Sequence, residues 1–154
     1  MIQKIVSGGQ TGADRAALDW AISRGVPHGG WCSRGRRADD RPIPPQYQLK
    51  ETASADYPAR TERNVLDSDG TLIISMVPKL SHGSALTATL AVKHRKPWIH
   101  IHVGTAEPSA TLKSFVKANN ISVLNVAGPR ASSEPQITQF VHTVLDGAFD
   151  PAKI

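Results

Sequence analysis

Twice in this chain an apolar, β-branched run leads into a short glycine turn and then into a helical pattern. The first turn, Gly8-Gly9-Gln10-Thr11-Gly12-Ala13-Asp14-Arg15, follows Ile2 to Ser7; the second, Ser81-His82-Gly83-Ser84-Ala85-Leu86-Thr87, comes shortly after Gly70 to Ser75. Strand, turn and helix in that order commit a chain to parallel strands joined by right-handed crossovers. The turns then gather at the carboxyl edge of the sheet, where open α/β sheets bind ligands. The alternation continues: Ala13 to Arg24, Ala59 to Leu66, Ala85 to His94, Ser109 to Asn119 and Glu134 to Leu145 read as helices. Val26 to Trp31, Leu49 to Thr52, Pro97 to His102 and Ile121 to Val126 read as further strands. Gly70-Thr71-Leu72-Ile73-Ile74-Ser75 is nearly all apolar, as a strand buried on both faces must be, and is expected at the centre of the sheet. The expected class is α/β, a three-layer sandwich with a mostly parallel sheet of about five or more strands and helices on both faces. A length of 154 residues suits a single domain over residues 1–154, large enough to bury a core without disulfides or metals.

A helix N-terminus leaves its first backbone N–H groups unpaired and carries partial positive charge, and glycine lets an anion approach with no Cβ in the way. Two such turns on one sheet edge predict a phosphate-bearing small-molecule ligand. In the first turn the candidate contacts are Gly8, Gly9, Gln10, Thr11 and Gly12, with Gln10 and Thr11 adding side-chain donors. Arg15 either pairs with Asp14, which itself complements the helix dipole, or reaches the anion. In the second turn Ser84 suits an N-cap, and Gly83, Ser84 and Thr87 offer amides and hydroxyls to a phosphate. The spacing fits neither the dinucleotide G-x-G-x-x-G nor the P-loop, since Ala13 stands where the P-loop carries lysine. Neither NAD binding nor ATP hydrolysis is supported. Between the turns, Arg60, Asn64 and Asp67 share one helix face at i, i+4 and i+7, a polar stripe that points at the site or faces solvent.

Eighteen Lys and Arg against thirteen Asp and Glu give a net charge of +5, and much of the excess lies in Arg34, Arg36, Arg37 and Arg41. These sit in a long stretch whose prolines resist both helix and central strand, and a loop of that length is more often functional than neutral. Two readings stand for the cluster: contact with the ligand, or a solvated basic loop facing Asp39, Asp40 or a neighbouring subunit. Specific nucleic-acid binding is not expected, because three Trp, two Tyr and three Phe supply no stacking platform interleaved with the arginines. Cys32 is the one cysteine, which excludes an intrachain disulfide and a cysteine-rich zinc site and fits a reducing compartment. No stretch approaches the roughly 18 apolar residues of a membrane span, so a cytoplasmic protein without membrane partners is expected. His100 and His102 share one strand face without a carboxylate or cysteine to complete a metal site, and no G-x-S-x-G elbow is present. Neither a metal site nor a catalytic residue is expected.

Taken together, Gly8 through Ala21, Pro27-His28-Gly29-Gly30-Trp31-Cys32, Gly35-Arg36-Arg37-Ala38, and Arg60-Thr61-Glu62 through Asn64 to Asp67-Ser68-Asp69-Gly70-Thr71 resemble the putative molybdenum cofactor carrier family. The resemblance spans about residues 4 to 103. It implies a Rossmann-like fold, shared with LOG-type phosphoribohydrolases and nucleotide-ligand sensors, and assembly as a dimer or tetramer. It further implies binding, protection and transfer of molybdenum cofactor (Mo-molybdopterin), a pterin with a terminal phosphate, in exchange with cofactor-biosynthetic or recipient enzymes. The binding residues so implied are Gly8, Gly9, Gln10, Thr11, Gly12, Arg15, Arg36, Arg60, Asn64, Gly83, Ser84 and Thr87. A sensor or hydrolase of a nucleotide-derived phosphorylated ligand is the alternative. LOG-type enzymes carry P-G-G-x-G-T-x-x-E where this chain has Ser81 to Thr89 and no glutamate, which argues against nucleotide hydrolysis. The carrier family usually shows two glycines where His82-Gly83 stands.

Overall fold

The computed structural model describes residues 2–150. Its elements run β1 (Lys4–Val6), α1 (Ala13–Ser23), β2 (His28–Gly29), β3 (Trp31–Cys32), β4 (Lys50–Glu51), α2 (Tyr57–Leu66), β5 (Gly70–Ile74), α3 (His82–Lys93), β6 (Trp98–Ile101), α4 (Pro108–Ala118), β7 (Val123–Ala127) and α5 (Ile137–Phe149). Five strands form one parallel sheet in the order β2-β1-β7-β5-β6, and β3 pairs with β4 apart from it. Helices α1, α4 and α5 cover one face; α2 and α3 cover the other. This is an α/β three-layer, Rossmann-like fold.

All five residues of β5 are buried, as its apolar run requires, yet the strand in the middle is β7. Leu124 of β7 lies across from Ile5 of β1 on one side and Gly70 of β5 on the other. Leu72, Ile74, Leu124 and Val126 pack against Ala16, Trp20, Leu112, Ile137 and Val141 in the main core. Each fully buried Leu or Ile there contributes about 1.5–3 kcal/mol relative to exposure.

Several elements depart from the periodicity. The run Val26 to Trp31, expected as one strand, breaks at Gly30, whose φ is +124° and whose Cα lies against the Ser7 backbone, leaving no room for a Cβ. Residues before the break join β1, and those after it turn away to pair with β4. Helix α3 starts at His82, so Ser81 takes the N-cap position expected for Ser84, which lies buried in the first turn. Helix α5 starts at Ile137 rather than Glu134, because Pro135 disfavours a helical conformation at the residue before it. It then runs past Leu145 to Phe149, with Gly147 against Ser109 Oγ of α4.

The long proline-rich stretch has a small core of its own, in which Ile43 and Tyr47 pack on Leu18 of α1 and on Cys32. Tyr47 donates its hydroxyl to Asp19 Oδ1 at 2.5 Å, and burial with that carboxylate pushes its pKa up to about 12. The loop is thereby fastened to the scaffold.

Candidate functional site

The order of the sheet places the carboxyl end of β7 between those of β1 and β5. Three loops therefore meet there: the first glycine turn, the residues leading into α3, and the 127–133 segment after β7. With the start of α2 they enclose a cavity of about 560 Å³ lined by Gln10, Asp14, Tyr57, Arg60, Thr61, Ser81, His82, Gly83, Ser84, Thr87, Gly128, Arg130 and Ser133, among others. A small recess beside it is lined by Gly8, Asp14, Arg60, Asn64, Thr87 and Asn125. Gly128 lets the third loop pass between the end of β5 and the start of α1, since a Cβ there would fall on the Ile74 carbonyl oxygen and the Ala13 side chain.

Four amides of the first turn are bonded within the protein. Gln10 N–H donates to Asp14 Oδ2 (3.3 Å), Thr11 N–H to Gln10 Oε1 (2.9 Å), Ala13 N–H to the Pro129 carbonyl (3.1 Å) and Arg15 N–H to the Gln10 carbonyl (3.0 Å). Its glycines serve close packing. The Arg60 guanidinium lies where a Gly8 Cβ would be, Ile43 and Leu49 close over Gly9, and the Pro129 carbonyl lies against Gly12, whose φ is +89°. Thr11 Oγ1 accepts from the Ala131 N–H at 3.3 Å. Gln10 reaches the cavity while its Oε1 also accepts the Asp39 N–H at 2.9 Å.

The second turn is open. No side chain caps α3, Ser81 Oγ instead donating to Ser84 Oγ at 3.3 Å, and no acidic residue lies in the helix's first turn. Gly83 is exposed, with nothing within 4 Å of where a Cβ would stand. Thr87 Oγ1 donates back to the Gly83 carbonyl at 3.0 Å. Backbone N–H groups at such a start carry partial positive charge into the cavity.

The candidate arginines separate. Arg60 sits at the cavity with Nη1 3.5 Å from Asp14 Oδ2 and its guanidinium carbon 5.2 Å from the Tyr57 ring centroid. Arg37 and Arg130 approach the same ring at 4.7 and 5.8 Å, so three guanidinium groups surround one tyrosine at the cavity mouth. Arg15 lies outside: it donates to the Gly9 carbonyl and forms a two-pronged pair with Asp40 at 2.8 and 3.1 Å. Hydrogen bonding to that guanidinium holds the Asp40 carboxyl below its usual pKa. Arg36, at φ +54°, turns inward and donates to the carbonyls of Ile43, Pro44 and Tyr47 at 2.7–2.8 Å, which makes it the pin of the long loop. Arg34 and Arg41 are exposed on that loop.

Asn64 also works structurally, bracketing Trp31 by accepting its N–H at 2.8 Å and donating to its carbonyl at 2.9 Å. Asp67 accepts the Trp31 indole N–H at 2.6 Å, so two members of the stripe on α2 anchor β3 and only Arg60 faces the cavity fully. Sequence reasoning did not place Tyr57, Arg130 and Ser133 at the cavity, and it read Asp14 and His82 within the two turns without assigning them to the ligand. For Tyr57 a signal existed, since Pro58 suits the first turn of a helix and moves its start back by two residues. Gly128-Pro129 likewise marks a turn after a strand, but which turn faces the cavity depends on the sheet order.

Buried Asp14 stands among cationic neighbours. Desolvation raises its pKa above 3.8 and outweighs the opposing pull of Arg60. Among the described residues no group of three or more His, Cys, Asp or Glu is arranged to hold a metal ion, and no helix is long and apolar enough to cross a membrane. Ser75 and His100 are 2.7 Å apart, but the Ser75 hydroxyl donates to the Val77 carbonyl. His100 Nε2 must then donate to Ser75, which leaves it unable to act as a base toward that hydroxyl.

No curated protein matches this chain. A crystal structure of a putative molybdenum carrier protein from Syntrophus aciditrophicus SB is similar over 96% of this chain and 95% of that one, with 50% sequence identity and a TM-score of 0.92. The sequence model of the Circularly permutated YpsA SLOG family matches residues 5–149, extending through the last third of the chain. With its last strand inserted between β1 and β5 and its cavity at their carboxyl ends, the chain belongs to the Circularly permutated YpsA SLOG family.

Proposed function

We propose that this protein binds molybdenum cofactor in the cavity at the carboxyl ends of β1, β7 and β5, and holds it for protection and transfer. The observation that carries the reading is an uncapped α3 N-terminus, with Gly83 open beside it, facing the same cavity as the arginine-ringed Tyr57. Backbone N–H groups at Gly83 and Ser84, with Thr87, Gln10 and Arg60, suit the terminal phosphate. Tyr57 suits the flat pterin, and cationic guanidiniums around it suit the anion. The protein would grip the organic part of the cofactor, leaving the metal to its pterin ligand. The name of the similar Syntrophus protein supports the same ligand. In this reading Gly8 and Asn64 line the recess beside the cavity, Gly9, Thr11 and Gly12 hold the first turn in place, Arg15 and Arg36 fasten the long loop, the protein assembles as a dimer or tetramer, and partners are enzymes that make or receive the cofactor.

A nucleotide-derived ligand is the second reading, favoured by the same pairing of a phosphate site with an aromatic ring. It applies to sensing more readily than to hydrolysis, since Thr89, where LOG-type enzymes carry glutamate, is exposed and bonded to the Ala85 carbonyl. Calorimetry and thermal shift with molybdenum cofactor, its metal-free pterin, AMP and ADP-ribose separate the two. A ligand at 100 times its Kd stabilises the fold by about 2.7 kcal/mol. Stabilisation by the pterins alone is the expected result; stabilisation by the nucleotides alone transfers the assignment to the second reading.

A further inference from the structure

One group in the cavity is at odds with its lining. Arg60, Arg130, His82 and the start of α3 all suit an anion, yet Asp14 lines both the cavity and the recess beside it. Its side chain is only 4% exposed, and its contacts on Oδ2 are long, Gln10 N–H at 3.3 Å and Arg60 Nη1 at 3.5 Å, while the neighbouring Ser7 hydroxyl also donates to the Val126 carbonyl at 2.7 Å. A carboxylate offers roughly four acceptor positions, and burying one is unfavourable unless close donors fill them. Burial raises its pKa, and the neighbouring donors and charges, Arg60 foremost, do not offset that. A site for phosphate alone gains nothing from a negative group placed there. A ligand that brings its own N–H donors does.

We propose that Asp14 selects the ring of the ligand, accepting two parallel hydrogen bonds from a heterocycle that carries an amino group beside a ring N–H. That edge, amino group, ring N–H and neighbouring carbonyl, is common to pterins and guanine. Adenine sets an unprotonated ring nitrogen beside its amino group and would direct a lone pair at the carboxylate. Hypoxanthine keeps the ring N–H and lacks the amino group. The inference rests on the proposed phosphorylated-ring ligand and makes the site selective within that class: a paired donor edge on Asp14, with the phosphate at α3.

Titration calorimetry of the full chain and of Asp14→Asn with GMP, IMP, AMP and a metal-free pterin phosphate tests this. Wild type is expected to bind GMP and the pterin about tenfold or more tighter than IMP and AMP, since a site built to pair two donors rejects ligands lacking one. In Asp14→Asn the gap between GMP and IMP narrows to about twofold, because an amide presents one acceptor and one donor where two acceptors are needed. Equal binding of GMP, IMP and AMP by wild type overturns the inference with no variant required. A uniform loss across all four ligands in Asp14→Asn also overturns it, and makes Asp14 a brace for Arg60. Pterin binding indifferent to Asp14 overturns the inference and leaves the carrier reading standing. Asp14-dependent GMP binding without pterin binding sustains the inference and removes the carrier reading. Failure of all four ligands to bind overturns both.

Discussion

In the first glycine turn every glycine lies against protein: Gly8 under the Arg60 guanidinium, Gly9 under Ile43 and Leu49, Gly12 against the 127–133 loop. In the second, Gly83 faces open space at the start of a helix with no side-chain cap. The same local pattern, a glycine turn opening a helix after a strand, thus has two physical uses. One glycine turn lets other parts of the chain come close, and the other leaves room for something that is not part of the chain. A glycine's lack of a Cβ is a vacancy in either case, and only its surroundings say what fills it.

Substitution separates the two uses. Gly12→Val places a β-branched side chain at φ +89° and drives its Cβ into the Pro129 carbonyl. Strain and overlap together are expected to lower stability by about 3 kcal/mol or more in urea unfolding. A Gly12→Val protein that unfolds like wild type yet loses its ligand would make the first turn a binding surface and erase the contrast. Next in size, Arg36→Ala removes three charge-assisted bonds to loop carbonyls and is expected to lower stability by about 2 kcal/mol. If affinity for a pterin phosphate collapses while the unfolding midpoint holds, Arg36 belongs to the ligand after all. The smallest effect on stability is expected from Gly83→Asp. Here the new side chain enters open space, and a carboxylate at a helix start holds stability or raises it by about 0.5 kcal/mol. The same charge should weaken a phosphorylated ligand about tenfold or more, through repulsion at the anion site. Unfolding of that variant would show that the second turn is packed like the first.

Much of the fold could be read along the chain. The apolar run Thr71 to Ile74 became a strand buried on both faces, and the alternation of periods correctly announced a parallel sheet with helices on each side. What the local pattern left open has one cause. Gly30 looked like the interior of a strand because nothing nearby in sequence reveals that the Ser7 backbone lies against it. Arg36 and Arg15 looked available because their partners, the Ile43, Pro44 and Tyr47 carbonyls and Asp40, are chosen by the path of a loop without periodic structure. Asn64 and Asp67 shared a face with Arg60, as helical spacing requires, but that face meets Trp31 along part of its length and the cavity along the rest.

The sequence by itself determined what depends on neighbours a few residues apart: which segments are helix or strand, that the strands run parallel, and that glycine turns lie at their carboxyl ends. Tertiary structure alone decided that β7 enters between β1 and β5, carrying Arg130 and Ser133 to the cavity and setting the Pro129 carbonyl against Gly12. Strand order is settled by burial and pairing between residues more than fifty positions apart, such as Gly70 with Leu124, and no local period encodes it.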